Sequence, residues 1–362
     1  MSWFYRHGIR PALFQQDPEY AHNAALKLLG GASRNTFAGK LMQALYGSPQ
    51  LPVELFGLKF PNPIGLAAGM DKIAAAVPAW EKLGFGFSEL GGVTWHEQPG
   101  NPPPRMFRAV ADEAIVNRMG FNNGGAEVLA QKLAGWKKLG RWPNHPVGVN
   151  LGKSKITPLT EAADDYANSF RVLRRVADFF VINVSSPNTP NLRELQDKAA
   201  LDEILAAIQE LNVDRKPVLV KVSPDLSFQA LDEILELVSP RNLAGIVATN
   251  TTTTRPPSSD PVTQKCYAET GGLSGRPLRA RSTEIIRHLY KQTNGRLPII
   301  GVGGIFNADD AWEKLTAGAS LLQIYTGLVY EGPGITKAIV TGLIDRLKIL
   351  GVPTLKDVVG SA

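Results

Sequence analysis

The chain has 362 residues, 44% of them hydrophobic, enough to bury a large core. Its single cysteine, Cys266, excludes a disulfide framework and every paired-cysteine metal or redox motif, and no two of its five histidines lie four residues apart in a zinc-binding pattern. A net charge of +6, spread along the chain rather than gathered in runs, argues against nucleic acid and suits anionic small molecules or an anionic membrane face.

The opening stretch MSWFYRHGIRPALFQQ carries charge inside its apolar residues and lacks a small-residue cleavage site, so it does not read as a signal peptide. No uncharged apolar run is long enough to span a bilayer. Residues 17–31, DPEYAHNAALKLLGG, predict a helix with Asp17 as N-cap, Pro18 in its first turn and Tyr20, Ala24, Ala25, Leu28 and Leu29 as the apolar stripe. Residues 33–48 predict a second helix with Phe37, Leu41, Met42, Leu45 and Tyr46 on one side, closed off by Pro49 and Pro52.

From residue 53 the pattern changes. VELFGLKFPNP alternates like a small hairpin. Eight short apolar runs follow, at 63–69, 85–93, 146–152, 179–185, 217–223, 244–250, 297–304 and 320–327. Helical patterns at 201–211, 227–239, 281–293 and 307–318 lie between several of them. Alternating strands and helices with nearly continuous apolar strands predict a parallel sheet covered on both faces, and eight repeats predict a (β/α)8 TIM barrel over residues 48–362. A six-stranded doubly wound sheet would leave two runs unexplained. Two connections are too long for plain loops. Residues 94–146 read as an inserted hairpin and loop, and residues 251–280, rich in Pro, Gly and polar residues, as a mobile lid.

In such a barrel the active site collects at the C-terminal ends of the strands. Those ends hold two lysines, several carboxamides and hydroxyls, many glycines, Asp71 as the sole carboxylate, and no histidine. A glycosidase needs two carboxylates, a metal hydrolase needs His or acidic ligands, and a serine triad needs a histidine. The set that remains suits a flat, amide-edged ligand with an anionic tail, as a flavin is. The glycine-rich turns at 301–306 and 325–327 would offer main-chain N–H groups to its phosphate.

Taken in order, GLAAGMDK, NRMGFNN, GVNLGKSK, NVSSPNTPNLR, VKVSPD, ATNTT, GGLSGRP and IIGVGGI with GASLLQIYTG closely resemble the class 2, quinone-dependent dihydroorotate dehydrogenases, from about residue 14 to residue 345. The resemblance implies oxidation of (S)-dihydroorotate to orotate in pyrimidine (UMP) biosynthesis, with FMN taking the hydride and ubiquinone or menaquinone reoxidising it. Ser186 matches the family's catalytic base, which takes the C5 proton. Thr189 and a water chain would carry that proton outward while Phe121 shields the spot. Lys72, Asn117, Arg118, Met119, Gly120, Phe121, Asn183, Asn188, Asn250 and Thr251 match the substrate site. Ala68, Gly69, Met70, Asp71, Lys72, Gly92, Asn150, Asn183, Lys221, Thr249, Gly275, Gly304, Tyr325 and Thr326 match the FMN site, with Lys221 beside the N1–C2=O edge. Gly92 departs from the Thr of many relatives. No metal is implied.

The two N-terminal helices, residues 1–47, resemble the class 2 extension that lies on the membrane and leads quinone to the flavin. There Trp3, Phe4, Ile9, Leu13 and Phe14 would reach into the lipid interface with Arg6 and Arg10 at headgroup level, and His22, Arg108 and Tyr325 would line the quinone tunnel. The implied enzyme is peripheral on the cytoplasmic side of a bacterial inner membrane; its oligomeric state stays open, with a monomer favoured. Two other readings stay open: an FMN barrel acting on another reduced pyrimidine with a soluble acceptor, and a non-catalytic membrane-peripheral flavoprotein.

Overall fold

All eight apolar runs become parallel strands in the computed structural model, which describes residues 2–362. We number them β1 (Ile64–Leu66), β2 (Phe87–Val93), β3 (Val147–Leu151), β4 (Phe179–Asn183), β5 (Val218–Val222), β6 (Gly245–Ala248), β7 (Ile299–Val302) and β8 (Leu321–Ile324). Each pairs in parallel with its sequence neighbours, and β8 returns to β1 to close the barrel. Helices follow every strand, from Val77–Lys82 after β1 to Ile335–Leu350 at the end. Their apolar faces cover the outside of the strands, as an all-parallel sheet demands.

The barrel interior is built in two layers. The lower is apolar, with Phe60, Phe87, Phe179, Val181, Leu219, Val247, Ile300 and Leu321 packed together and edge-to-face contacts at 5.4 Å (Phe60–Phe87) and 6.2 Å (Phe87–Phe179). Glycine makes room for these rings: a Cβ on Gly148 would lie 2.2 Å from the Phe179 ring. The expected hairpin, Val53–Leu55 paired with Leu58–Phe60, closes the floor. The upper layer is polar and buried, formed by Glu89, Asn150, Asn183, Lys221 and Gln323.

The connection at 94–146 contains the expected hairpin, Met106–Ala109 with Ala114–Asn117, and a further helix, Ala126–Lys138. Segment 251–280 is more structured than its composition implied. Asp260 caps the helix Pro261–Tyr267, accepting from the Thr263 N–H at 2.8 Å, and Gly272–Gly275 pairs as a third antiparallel strand on the hairpin. Its prolines and glycines suggested looseness, but backbone pairing to the hairpin supplies order that composition does not encode.

At the N-terminus both predicted helices form, Pro18–Arg34 capped by Asp17 and Thr36–Tyr46 capped by Asn35. Residues 2–14 add a helical stretch that the sequence reading did not anticipate. The core-facing side of Pro18–Arg34 is Leu26, Gly30 and Ser33. Tyr20 and Leu28, two members of the apolar stripe, are 64% and 75% exposed. Phe37, Leu41 and Leu45 also face outward. The helices are apolar on two sides, so periodicity alone could not choose which side the barrel takes.

Candidate active site

A cleft opens at the C-terminal ends of the strands, where the barrel rule places it. Ala68, Gly69 and Lys72 reach it after β1, Gly92 from β2, Asn150 from β3, and Asn183, Ser186 and Asn188 from β4 and the turn beyond. Lys221 lines it from β5, Thr249, Asn250 and Thr251 after β6, Gly304 after β7, and Tyr325 and Thr326 after β8. Asn117, Met119, Gly120, Phe121 and Gly275 come in from the added sheet and its loops.

Three expected members lie elsewhere. Asp71 is fully buried and turned away, accepting from the Ala75 and Ala76 N–H groups (2.8 and 3.0 Å) and Trp80 Nε1 (3.1 Å). Its carboxylate satisfies orphan donors at the start of the next helix, a structural task. Arg118 pairs with Glu269 at 2.6 Å and lies 4.7 Å over the Phe107 ring, outside the cleft. Met70 lines a separate apolar cavity. Adjacent residues in an extended turn point to opposite sides, so a matched run cannot assign all its members to one pocket.

A chain of carboxamides crosses the cleft's base. Glu89 accepts from Asn150 Nδ2 at 2.7 Å and from Gln323 Nε2 at 2.5 Å. Asn150 Oδ1 accepts from Asn183 Nδ2 at 2.8 Å, and Asn183 Oδ1 accepts from Ser185 Oγ and Asn250 Nδ2, both at 3.1 Å. Asn188 donates from Nδ2 to Asn117 Oδ1 at 3.2 Å. Beside it Ser186, buried, accepts from the Asn188 N–H at 3.3 Å. Neither a histidine nor a carboxylate hydrogen-bonds to this hydroxyl among the described residues.

Two lysines face this wall. Burial depresses the Lys221 ammonium below the usual lysine range, and the Glu89 charge offsets part of that. Lys72 is brought down to about 8, first by burial and then by the nearby Arg105 cation, against the pull of Glu19 and Asp71. Gly92 leaves room for aromatic packing: a Cβ there would sit 2.6 Å from the Phe121 ring.

The residues present fit a flavin. Buried Gln323 Oε1 and Asn188 Oδ1, both on residues that line the cleft, have no partner among the described residues, and an amide-edged ligand supplies such partners. Gly303 and Gly304, both with positive φ, line the cleft at the end where the phosphate is expected.

Behind Tyr325 lies a second cavity of about 300 Å³, between the N-terminal helices and the barrel. Leu13, Phe14, Ala21, Ala25, Leu29, Met70, Leu328 and Val329 make it apolar, and His22 and Arg108 are among its few polar groups. Tyr325 lines both chambers. Burial, then the charge of Lys72, pushes His22 down to about 3, so its imidazole is neutral at physiological pH. Arg108 is tied to the helical cap: Nη1 donates to Leu13 O at 3.1 Å and its guanidinium lies 4.5 Å over the Phe14 ring. Arg6 and Arg10, expected at headgroup level, are also turned to the barrel, Arg6 pairing with Glu331 and Arg10 donating to Tyr330 O at 3.1 Å. The buried Glu331 carboxylate and the Tyr330 carbonyl draw these two side chains toward the barrel.

Sequence reasoning missed Glu89, Gln323 and Ser274, the last accepting from Thr326 Oγ1 at 2.9 Å. The first two had a legible signal: a charge in FGFSELGGV and an amide in SLLQIYTG, each within an otherwise apolar strand.

The family model described as Dihydroorotate dehydrogenase matches residues 50–347. The chain is 54% identical to a dihydroorotate dehydrogenase (quinone) of Gloeobacter violaceus over 354 residues, 98% of each chain. It is 50% identical to the protein of the same description from Nostoc punctiforme, covering 98% of this chain and 97% of that one. Among solved structures, the DHODH of Eimeria tenella in complex with ferulenol superposes with a TM-score of 0.85 at 35% identity, over 96% of this chain and 98% of that one.

Proposed function

Because the chain belongs to the dihydroorotate dehydrogenase family, we propose that its two chambers divide the reaction, the cleft taking dihydroorotate beside FMN and the apolar cavity taking the quinone. The protein is an oxidoreductase of pyrimidine biosynthesis, converting dihydroorotate to orotate with a quinone as acceptor. The observation that carries the division of labour is Tyr325, one side chain forming the wall between a polar cleft and an apolar cavity.

FMN would supply the acceptor for the C6 hydride and the redox link to the quinone. The chain's own residues do the rest. Ser186 Oγ takes the C5 proton as its own hydroxyl proton passes outward, and the Asn188 N–H that already donates to it stabilises the alkoxide character that grows as that proton leaves. Thr189 Oγ1, buried and unpartnered, offers the next step outward for that proton. Phe121 keeps bulk water from the spot. Asn117, Asn183, Asn188 and Asn250 pair with the alternating N–H and C=O groups of the pyrimidine ring, and Lys72 takes its carboxylate. Lys221, whose depression by burial Glu89 partly offsets, would hold the flavin's N1–C2=O edge and supply positive potential there. Ala68, Gly69, Thr249, Gly275 and Thr326 shape the remainder of the flavin site.

Residues 1–47 serve as the quinone module and residues 48–362 as the catalytic barrel. Outward-facing Trp3, Phe4, Leu28, Phe37 and Leu41 suit insertion into a lipid interface, which supports a peripheral enzyme on the cytoplasmic face of a bacterial inner membrane. Among the described residues no helix is long and apolar enough to cross it. The test is anaerobic. Dihydroorotate should bleach the bound flavin, and a ubiquinone analogue should restore its colour. Recovery that fumarate or NAD⁺ achieves better than quinone would overturn the acceptor assignment.

A further inference from the structure

Glu89 lies in the middle of β2, wholly buried, in the polar layer at the base of the cleft and without lining the cleft itself. Burying a carboxylate inside a barrel is costly unless its oxygens are satisfied and its charge balanced. Here one oxygen accepts from Asn150 and the other from Gln323, while Lys221 balances the charge without a direct ion pair.

An ionised carboxylate has no hydrogen to give, so both neighbouring carboxamides must turn their NH2 groups toward it. That constraint propagates. With Asn150 Nδ2 committed to Glu89, Asn150 Oδ1 is the atom presented to Asn183 Nδ2 at 2.8 Å. Asn183 Oδ1 is then the acceptor for the Ser185 N–H (3.2 Å), Ser185 Oγ (3.1 Å) and Asn250 Nδ2 (3.1 Å), next to Ser186. On the other branch, Gln323 Nε2 is committed and Oε1 remains a buried acceptor without a partner, on a residue that lines the cleft.

We propose that Glu89 is a positioning residue that sets the donor–acceptor sense of the whole amide wall, and through it how the cleft meets a flavin ring and a pyrimidine-dione. The proposal rests on the reading of the cleft as a flavin and orotate site. A neutral glutamine at position 89 would bring its own NH2 against one of the two amides. Either Asn150 turns over, reversing the branch toward Asn183, or Gln323 does, making a donor of the cleft's free acceptor.

Three variants separate this role from packing. FMN is titrated into the apoprotein and followed by flavin fluorescence, and orotate into the holoprotein and followed by the flavin's visible spectrum. Glu89→Gln, nearly isosteric, is expected to weaken both ligands about tenfold or more, the loss of a charge-assisted hydrogen bond. Glu89→Asp removes a methylene but keeps an acceptor-only group, and should bind both ligands better than Glu89→Gln. A packing role demands the opposite order, and that order overturns the assignment. In the double variant Glu89→Gln/Gln323→Glu, the new glutamine donates to the carboxylate now at position 323 and still accepts from Asn150, so the original sense returns and affinity should recover. A double variant no better than the single one, or unchanged binding in Glu89→Gln, also overturns it. Failure of the unaltered chain to bind FMN would instead strike the cofactor reading.

Discussion

The cleft and the cavity share Tyr325 and little else. The cleft is walled by carboxamides, hydroxyls and two depressed lysines, with several buried polar atoms left for a ligand to satisfy. The cavity is walled by aliphatic and aromatic side chains, and its histidine is held neutral. A polar wall rewards a ligand that matches its hydrogen-bond pattern and rejects one that leaves a group unpaired. An apolar wall discriminates weakly and admits anything greasy of the right girth. Specificity therefore belongs to the cleft, and tolerance to the cavity.

The largest expected effect sharpens the polar half. Ser186→Ala should retain FMN yet slow flavin reduction by dihydroorotate about 10³-fold in an anaerobic stopped-flow trace, the scale of losing a positioned base. Reoxidation of the reduced flavin by quinone should be untouched. Near-normal reduction would show that another group takes the proton.

A smaller effect concerns how the catalytic turn is held. Arg193 donates from Nε to Ser185 O and from Nη2 to Thr251 O, both at 3.2 Å, and pairs with Asp225 at 2.8 Å. Asp225 in turn accepts from the Thr253 N–H at 2.9 Å. One guanidinium thus ties the Ser186 turn to the loop after β6. Arg193→Gln should lower the rate of flavin reduction about tenfold while FMN content stays normal, because small misplacements of reacting groups are costly. Equal losses in quinone reoxidation would mean the tie supports the whole barrel top rather than the cleft.

The two regions were not equally legible. Barrel strands announce themselves as apolar runs bounded by glycine, and the cleft follows from their C-terminal ends, so Asn150, Asn183, Lys221 and Tyr325 were within reach of the sequence. Met70, Asp71 and Arg118 were misplaced because a motif records neighbours along the chain, while a pocket collects only the side chains that point one way. Glu89 escaped because its partners, Asn150 and Gln323, lie 61 and 234 residues away. The helical cap was harder still. Its residues are apolar on two sides, and only packing decided that Leu26 turns inward while Leu28 turns outward.

The apolar half can be tested by filling it. Ala21 lines the cavity from the helix Pro18–Arg34, whose Glu19 is held by both oxygens to Arg105 at 2.7–3.0 Å. Ala21→Trp should raise the KM for a ubiquinone analogue about tenfold, equivalent to roughly 1.4 kcal/mol of lost contact. Reduction by dihydroorotate should stay within about twofold of normal, since an indole behind Tyr325 meets none of the amides. A matching loss in both half-reactions would mean that the chambers are not separate.

The smallest effect follows from the neutral histidine. In the unfolded chain His22 takes up a proton below its ordinary value near 6.5, whereas in the folded cavity it stays neutral down to about 3. Between those limits the unfolded state binds the extra proton, so stability falls as the pH is lowered through the window and is regained as it rises. Buried His145, held at about 4 chiefly by desolvation, contributes in the same direction, so wild-type acid sensitivity alone cannot isolate the cavity. The difference between His22→Asn and the unaltered chain can, because every other titrating group cancels. Chemical denaturation at pH 7 and at pH 5 should show a shallower loss in the variant. Quinone reoxidation by the unaltered enzyme should show no step from His22 between pH 5 and pH 8. A step there that vanishes in His22→Asn would mean that the imidazole titrates in the working enzyme and that the cavity is wetter than its aliphatic lining implies.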